Sequence, residues 1–320
     1  MPPKKNLLDL IESYYLIHFL RHLCHTNVID PGRSNLSPNR KSPFINEMLE
    51  FISDRTDIVQ KKKSGYSLSP SYKGYTNLAY HIDKLVDSYG NFDFNNPRRL
   101  LQLNKPAFAS AKEKTMPYYD YALINAVLDQ VEGNHILDLG CGMGGLMLSY
   151  CLGNTASRKA TGIDNNKGLC TRGNRLFQQE GLKKKARIYY GNVLEIDKAI
   201  PEKALEDVNI VVANNFMNEL FGAGKKKPFE GLLKVLKQKF PGRYLVIMDY
   251  YGVFGTKRKD DPQLQHNYIH DVMQLFSGQG VPPPDYKSWN QYYKKAGCRL
   301  LQVYEGEMTG ISWFIHVLAM

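Results

Sequence analysis

The 320-residue sequence predicts an α/β fold: a mostly parallel sheet with helices on both faces, preceded by a largely helical N-terminal module. Three observations carry this. From Tyr118 onward, short apolar strands alternate with helical stretches. Residues 135–145 read HILDLGCGMGG, an apolar strand running into a glycine loop that opens a helix. Residues 298–320, CRLLQVYEGEMTGISWFIHVLAM, are two apolar runs about a short Glu/Gly/Thr loop, which reads as an antiparallel hairpin.

Taken in order, apolar residues recur at helical spacing from Asn6 to His25 (Leu7, Leu8, Ile11, Tyr14, Tyr15, Ile17, Leu20, Leu23) and predict a long opening helix. The polar stretch DPGRSNLSPNRKSP reads as a loop before a second helix near Phe44–Ile52. Ile58–Val59, a basic turn with Gly65, and Tyr66–Leu68 read as a β-hairpin. Helix, helix and hairpin resemble a winged helix, a module that serves either DNA binding or dimerisation. The helix INEMLEFISD carries three acids and would repel phosphates in a groove, which favours dimerisation. Helices are expected at Ala79–Val86, Leu100–Lys114 and Tyr119–Val131, and strands at His135–Leu139, Ala160–Ile163, Ala186–Gly191, Val208–Ala213 and Arg243–Asp249. The division is placed at residue 115: residues 1–115 as a dimerisation and substrate-lid domain, residues 116–320 as the ligand-binding domain.

Composition narrows the class. The hydrophobic fraction of 43% suffices for a core, and no apolar run approaches the ~20 residues that cross a bilayer. The start MPPKKNLLDLIESYY lacks the pattern of a signal peptide. Five scattered cysteines, none in a C-x-x-C pair, argue against disulfides or zinc and for a reducing, cytoplasmic setting. The net charge of +11 raises nucleic acid as a partner, but the lysines fall in runs of three that read as solvated faces.

The glycine loop admits two ligands. Gly140, Gly142 and Gly145 fit G-x-G-x-x-G of dinucleotide sites, whereas Asp138, Gly140, Gly142 and Gly144 fit D-x-G-x-G-x-G of S-adenosylmethionine (SAM) sites. Asp138 decides between them. A carboxylate ~4 Å from a pyrophosphate is repelled by several kcal/mol, whereas SAM brings an ammonium and a sulfonium to the same place. Asp164, closing ATGID, is placed to accept ribose hydroxyls, and Asn192, after YYG, to face adenine.

With these residues the chain resembles class I, Rossmann-like SAM-dependent methyltransferases from about Tyr118 to Met320. The resemblance implies a seven-stranded sheet of order 3-2-1-4-5-7-6 with the last strand antiparallel. It implies SAM as cofactor and S-adenosylhomocysteine as product. The implied cofactor contacts are Tyr119, Asp138, Gly140, Cys141, Gly142, Asp164, Asn165, Asn192, Val193, Asn214 and Asn215. The N-terminal module followed by this domain resembles the dimeric small-molecule O-methyltransferases of secondary metabolism. That implies a homodimer acting on a small, aromatic or natural-product-like metabolite, on oxygen in preference to nitrogen or carbon. No metal is expected.

The acceptor side is less marked. VVANNFMNELFG lacks the Asn/Asp-Pro-Pro-aromatic motif of DNA amino-methyltransferases. Where the O-methyltransferases carry a His-Asp pair, this chain has Asn218-Glu219, so the family's base is absent and Glu219 is a candidate substitute. His266 and His270, one turn apart on the helix expected after Pro262, are the other candidate bases; Asp271 points about 100° away. Phe216, Asn218, Tyr250 and Tyr251 are candidate substrate contacts, since aromatic faces suit a sulfonium and a planar acceptor. The rival readings are a macromolecular methyltransferase and a SAM-sensing winged-helix regulator.

Overall fold

The computed structural model describes residues 6–30, 35–36, 44–70, 82–88, 92–95, 100–116, 121–153, 157–222, 227–261, 264–308 and 311–320. The chain forms two compact units, residues 1–90 with 104–119 and residues 91–103 with 120–320. These compact units are drawn differently from the expected division at residue 115. Residues 91–103 belong with the second unit, where the Leu100 and Leu101 N–H groups both donate to Phe276 O, at 2.7 and 2.9 Å.

In the first unit, α1 (Leu7–His25) opens on a capping box in which Asn6 and Asp9 each accept the other's backbone N–H. Only its C-terminal end is buried, through Leu20, Leu23 and Cys24; Leu7 and Leu8 are 72% and 75% exposed. After α2 (Ile45–Arg55), β2 (Val59–Lys62) and β3 (Gly65–Leu68) form the expected hairpin. The two-residue strand β1 (Asn35–Leu36) pairs with β3 to give the order β1-β3-β2. Two residues in a polar loop carry no period, so sequence patterning reads them as loop. Leu23, Ile29, Leu49, Ile52, Val59 and Leu68 form the core of this unit. Of the helix expected over 79–86, residues 79–81 lie outside the described set, and Lys84–Ser88 is a single π-helical turn. The helix expected from Leu100 begins at Lys105 instead: α3 (Lys105–Thr115) is capped by Asn104, whose side chain accepts Ala107 N.

The second unit begins with α4 (Ala122–Leu128) and then alternates as expected. The strands are β4 (His135–Leu139), β5 (Lys159–Asp164), β6 (Ala186–Tyr190), β7 (Ile210–Asn214), β8 (Tyr244–Tyr250), β9 (Arg299–Met308) and β10 (Ile311–Ala319). The helices are α5 (Gly145–Leu152), α6 (Lys167–Gln179), α7 (Lys227–Lys239), α8 (Gln265–Phe276) and α9 (Tyr286–Lys295). The sheet order is β6-β5-β4-β7-β8-β10-β9, with β4 to β8 parallel and β10 antiparallel to both neighbours. Numbered within the sheet, this is 3-2-1-4-5-7-6, the Rossmann-like methyltransferase order.

Alternation along the strands divides the core between two faces. Leu137, Leu139, Phe314 and Leu318 pack with α7 and α9 on one side; Ile136, Ile315 and Val317 pack with α4 and α5 on the other. The register pairs Leu139 with Ile163 and with Ala213, and Asn214 with Met248. The C-terminal ends of the parallel strands therefore lie level, and the loops that leave them share one edge. Among the described residues no helix is long and apolar enough to cross a membrane.

Candidate active site

The glycine loop leaves β4, a strand buried along its whole length. Gly140, Gly142 and Gly144 take φ of +66°, +58° and +75°, whereas Gly145 is the first residue of α5 and has no positive φ. The left-handed backbone thus falls on the glycines of D-x-G-x-G-x-G and not on the third glycine of the dinucleotide pattern. The three meet different surroundings. A Cβ on Gly140 would enter the Phe216 ring, and one on Gly144 would lie 2.5 Å from Phe177. A Cβ on Gly142 would meet nothing within 4 Å, so this part of the loop faces open space.

Asp164, at the end of β5, holds the loop in shape. Its Oδ2 accepts Gly142 N and its Oδ1 accepts Asn166 N, both at 2.8 Å. Gly140 N and Cys141 N donate to Ile163 O. Asp138 is 2% exposed, and burial, with the charge of Asp164 added, pushes its carboxyl up to about 8. At neutral pH the carboxyl is therefore largely protonated, and a cation beside it would draw the proton off.

The other residues expected around the cofactor fall as follows. Cys141 turns its sulfur toward Gly162, where a Cβ would come within 2.7 Å of it, so the loop presents backbone here. Asn165 and Asn192 are exposed; Asn192 also caps the turn Val193–Glu195 by accepting Leu194 N at 3.0 Å. Val193 is buried in the core. Asn214 is half-buried, and exposed Asn215 has φ +51°, a sharp corner after which Phe216 turns over Gly140. Tyr119 lies outside the described residues.

Beyond β7 and β8 the structure assembles a buried polar cluster. Asn218, 4% exposed, donates its backbone N–H to Asp249 Oδ2 at 2.9 Å, and Tyr250 N donates to Oδ1 at 2.9 Å. Burial pushes the Asp249 carboxyl up to about 7, against those two N–H groups. The Tyr250 hydroxyl donates to Asp271 Oδ1 at 2.9 Å, and a hydrogen bond from Asn218 acts on the same hydroxyl. Asp271 is wholly buried and also accepts Val253 N and Phe254 N, at 2.6 and 2.8 Å, pinning the loop after β8 to α8. The His270 ring meets Tyr250 edge-on at 5.0 Å, and its Nε2 lies 3.2 Å from Gln274 Nε2. An amide nitrogen can only donate, so that bond occupies the Nε2 lone pair. Glu219 is exposed and close enough to Asp249 to help raise its carboxyl. His266 lies in the first turn of α8.

Tyr251 points elsewhere. Its hydroxyl donates to Glu305 Oε1 at 2.5 Å and lies 3.2 Å from His316 Nε2, while the Tyr293 hydroxyl lies 2.8 Å from His316 Nδ1. Burial holds the His316 imidazole down to about 3, so it is neutral.

The structure thus brings Asp138, the glycines, Asp164 and Phe216 to one loop cluster, and Asn218, Tyr250 and His270 to another. Sequence reading missed Asp249 and Gln274 and gave Asp271 no role. An acid inside the apolar strand YLVIMDY was a signal for Asp249; Asp271 and Gln274 share a helix face that only burial reveals.

No family model and no curated protein matches this sequence. Solved structures do share its fold. A Nostoc punctiforme protein provisionally named an O-methyltransferase aligns over 100% of both chains, with 13% identity and a TM-score of 0.68. PigF, solved with S-adenosylhomocysteine, covers 98% of this chain and 99% of its own, with 10% identity and a TM-score of 0.67. NcsB1, an O-methyltransferase of neocarzinostatin biosynthesis, was solved with SAM and 2-hydroxy-5-methyl naphthoic acid. It aligns over 96% of each chain, with 11% identity and a TM-score of 0.54. This chain shares its fold with these proteins.

Proposed function

We propose that this protein is a SAM-dependent methyltransferase of small metabolites, methylating oxygen on an aromatic or natural-product-like acceptor. The observation that carries the reading is the buried Asp138 carboxyl beneath three left-handed glycines whose middle member faces open space. A cationic ligand suits that carboxyl, and the open face of Gly142 leaves room for it. Fold neighbours solved with SAM and with its demethylated product support the same ligand. Asp138 would hold the ammonium, the Gly140–Gly142 backbone the methionyl part, and Asp164 and Asn192 the nucleoside. Bound there, SAM supplies an electrophilic methyl group: a C–O bond to the acceptor forms as the S–C bond breaks, and the acceptor's proton departs.

The chain's own residues then orient the acceptor and take up that proton. Phe216 covers the loop at Gly140 and offers a ring face to a cation or a planar substrate. Asn218 stands where the resembling enzymes carry a histidine and has no basic atom. We assign proton uptake to Glu219, the exposed carboxylate beside it, since His270 has Nε2 engaged by Gln274. His266 remains as a base candidate on the same helix.

The first unit is proposed as a winged-helix-like dimerisation module. Helix α1 leaves Leu7, Leu8, Leu10, Ile11, Tyr14 and Tyr15 exposed, an apolar face that a second copy of the chain would cover. Free thiols at Cys24, Cys141, Cys151, Cys170 and Cys298 support a reducing, cytoplasmic setting.

Calorimetry with SAM, S-adenosylhomocysteine and NADH tests the core of the proposal, followed by labelled SAM with phenols, carboxylic acids and amines. Uptake of both adenosyl ligands and label transfer to a phenol is expected. Tight NADH uptake with neither adenosyl ligand bound would overturn it.

A further inference from the structure

Two buried amide oxygens in the cluster beyond β7 and β8 have no partner. Among the described residues, Asn218 Oδ1 and Gln274 Oε1 are closed to solvent and accept no hydrogen bond, although both residues are more than nine-tenths buried. They belong to one connected group. The Asn218 amide acts on the Tyr250 hydroxyl, the Tyr250 ring meets His270, and His270 Nε2 takes the Gln274 amide N–H. The backbone closes the same neighbourhood: a Cβ on Gly222 would lie 2.6 Å from Gly278 O, and Gln279 N donates to Gln274 O at 2.9 Å. Asp271 accepts three donors and Asp249 accepts the N–H groups of Asn218 and Tyr250; none of these donors turns to either amide oxygen.

Buried acceptors without donors destabilise a fold, and native structures keep few of them. Two in one connected group, the first only two residues after the Phe216 ring that covers Gly140, point to donors supplied from outside the chain. Both are oxygens, so the missing partner is a donor. We propose that Asn218 and Gln274 determine specificity by receiving hydrogen-bond donors of the substrate. The substrate class is a phenol bearing a second hydroxyl or an amino group beside the hydroxyl that is methylated. A substrate with only an ether or a hydrogen at that position would leave both oxygens unpaired in a dry site. Sites of this kind discriminate more sharply than apolar ones. The inference rests on the methyltransferase reading above and assigns the chemistry of its acceptor.

The test uses the full-length protein with labelled SAM and three probes: catechol, 2-aminophenol and guaiacol, the last keeping the hydroxyl but replacing the neighbouring donor by a methyl ether. The expected result is kcat/KM at least tenfold higher for the two donor-bearing probes than for guaiacol. In Asn218→Leu and Gln274→Met that ratio falls toward one, while SAM affinity, read separately by calorimetry, stays within twofold. Three outcomes overturn the inference: equal use of guaiacol by the unaltered enzyme, an unchanged ratio in both variants, or no methylation of any probe by protein that binds SAM. Protein that binds no SAM fails the methyltransferase reading instead. Should both variants misfold, the guaiacol comparison in the unaltered enzyme still decides.

Discussion

The two halves of the sheet's C-terminal edge are built from different materials. At the ends of β4 and β5 the site is made of backbone: left-handed glycines, N–H groups held by Asp164, and a single buried carboxyl. At the ends of β7 and β8 it is made of side chains, with Asn218, Asp249, Tyr250, Asp271 and Gln274 linked over residues 218–274. Backbone recognition constrains residue identity through φ and space, so few sequences satisfy it. Side-chain recognition constrains only the sum of donors and acceptors, so it changes readily with the substrate while the first half stays the same.

That contrast can be broken at graded cost. Gly140→Ala should do most damage: a left-handed alanine and a Cβ inside the Phe216 ring should lower unfolding free energy by about 4 kcal/mol in urea, and the displaced loop should weaken SAM binding by calorimetry. Asp271→Ala strips the partner from Tyr250 and two backbone N–H groups and should lower unfolding free energy by about 3 kcal/mol in urea. SAM affinity should move far less, because the lesion lies in the other half.

Asp138→Asn should cost about 2 kcal/mol of SAM affinity and remove its pH dependence. In the unaltered protein the carboxyl sits at about 8 without ligand, and a bound cation favours its ionised form. Affinity should therefore rise with pH up to about 8 and level off above it, with proton release at pH 7 visible as a buffer-dependent heat. The stability of the ligand-free protein should move the opposite way. Asp138 and Asp249, at about 8 and about 7, hold protons in the folded state that an unfolded carboxyl releases near 4. Their contribution is full below pH 4 and is lost as pH rises to about 8. The smallest effect is expected from Gly142→Ala, whose Cβ meets no atom: about 1 kcal/mol of stability, from the backbone alone, by thermal melt.

The same contrast explains what could be read before any coordinates. HILDLGCGMGG and the acid closing ATGID are local, and each residue there answers to a strand end or a turn whose geometry is known in advance. Alternation gave a parallel sheet and the closing hairpin its antiparallel end; strand order came only with the resemblance to class I methyltransferases. The polar cluster was not legible in this way. Asn218 and Tyr250 stand out by position, but their partners are Asp249 for Asn218 and, for Tyr250, a helix face with Asp271 and His270 that any amphipathic helix could carry. Asp271 lies round the helix from His270, and that direction is the one facing the loop after β8. Likewise β1, two residues long, left no periodic trace.

The corner at Asn215 has a consequence for assembly. The aromatic ring that closes over Gly140 arrives from a strand 76 positions further along, placed there only once β7 has paired beside β4. The glycine motif is therefore not a self-sufficient part. A fragment stopping short of Phe216, or a loop transplanted into another scaffold, would keep every signature residue and still lack one wall. During folding, competence to bind ligand would be acquired late, after the sheet has knitted its centre.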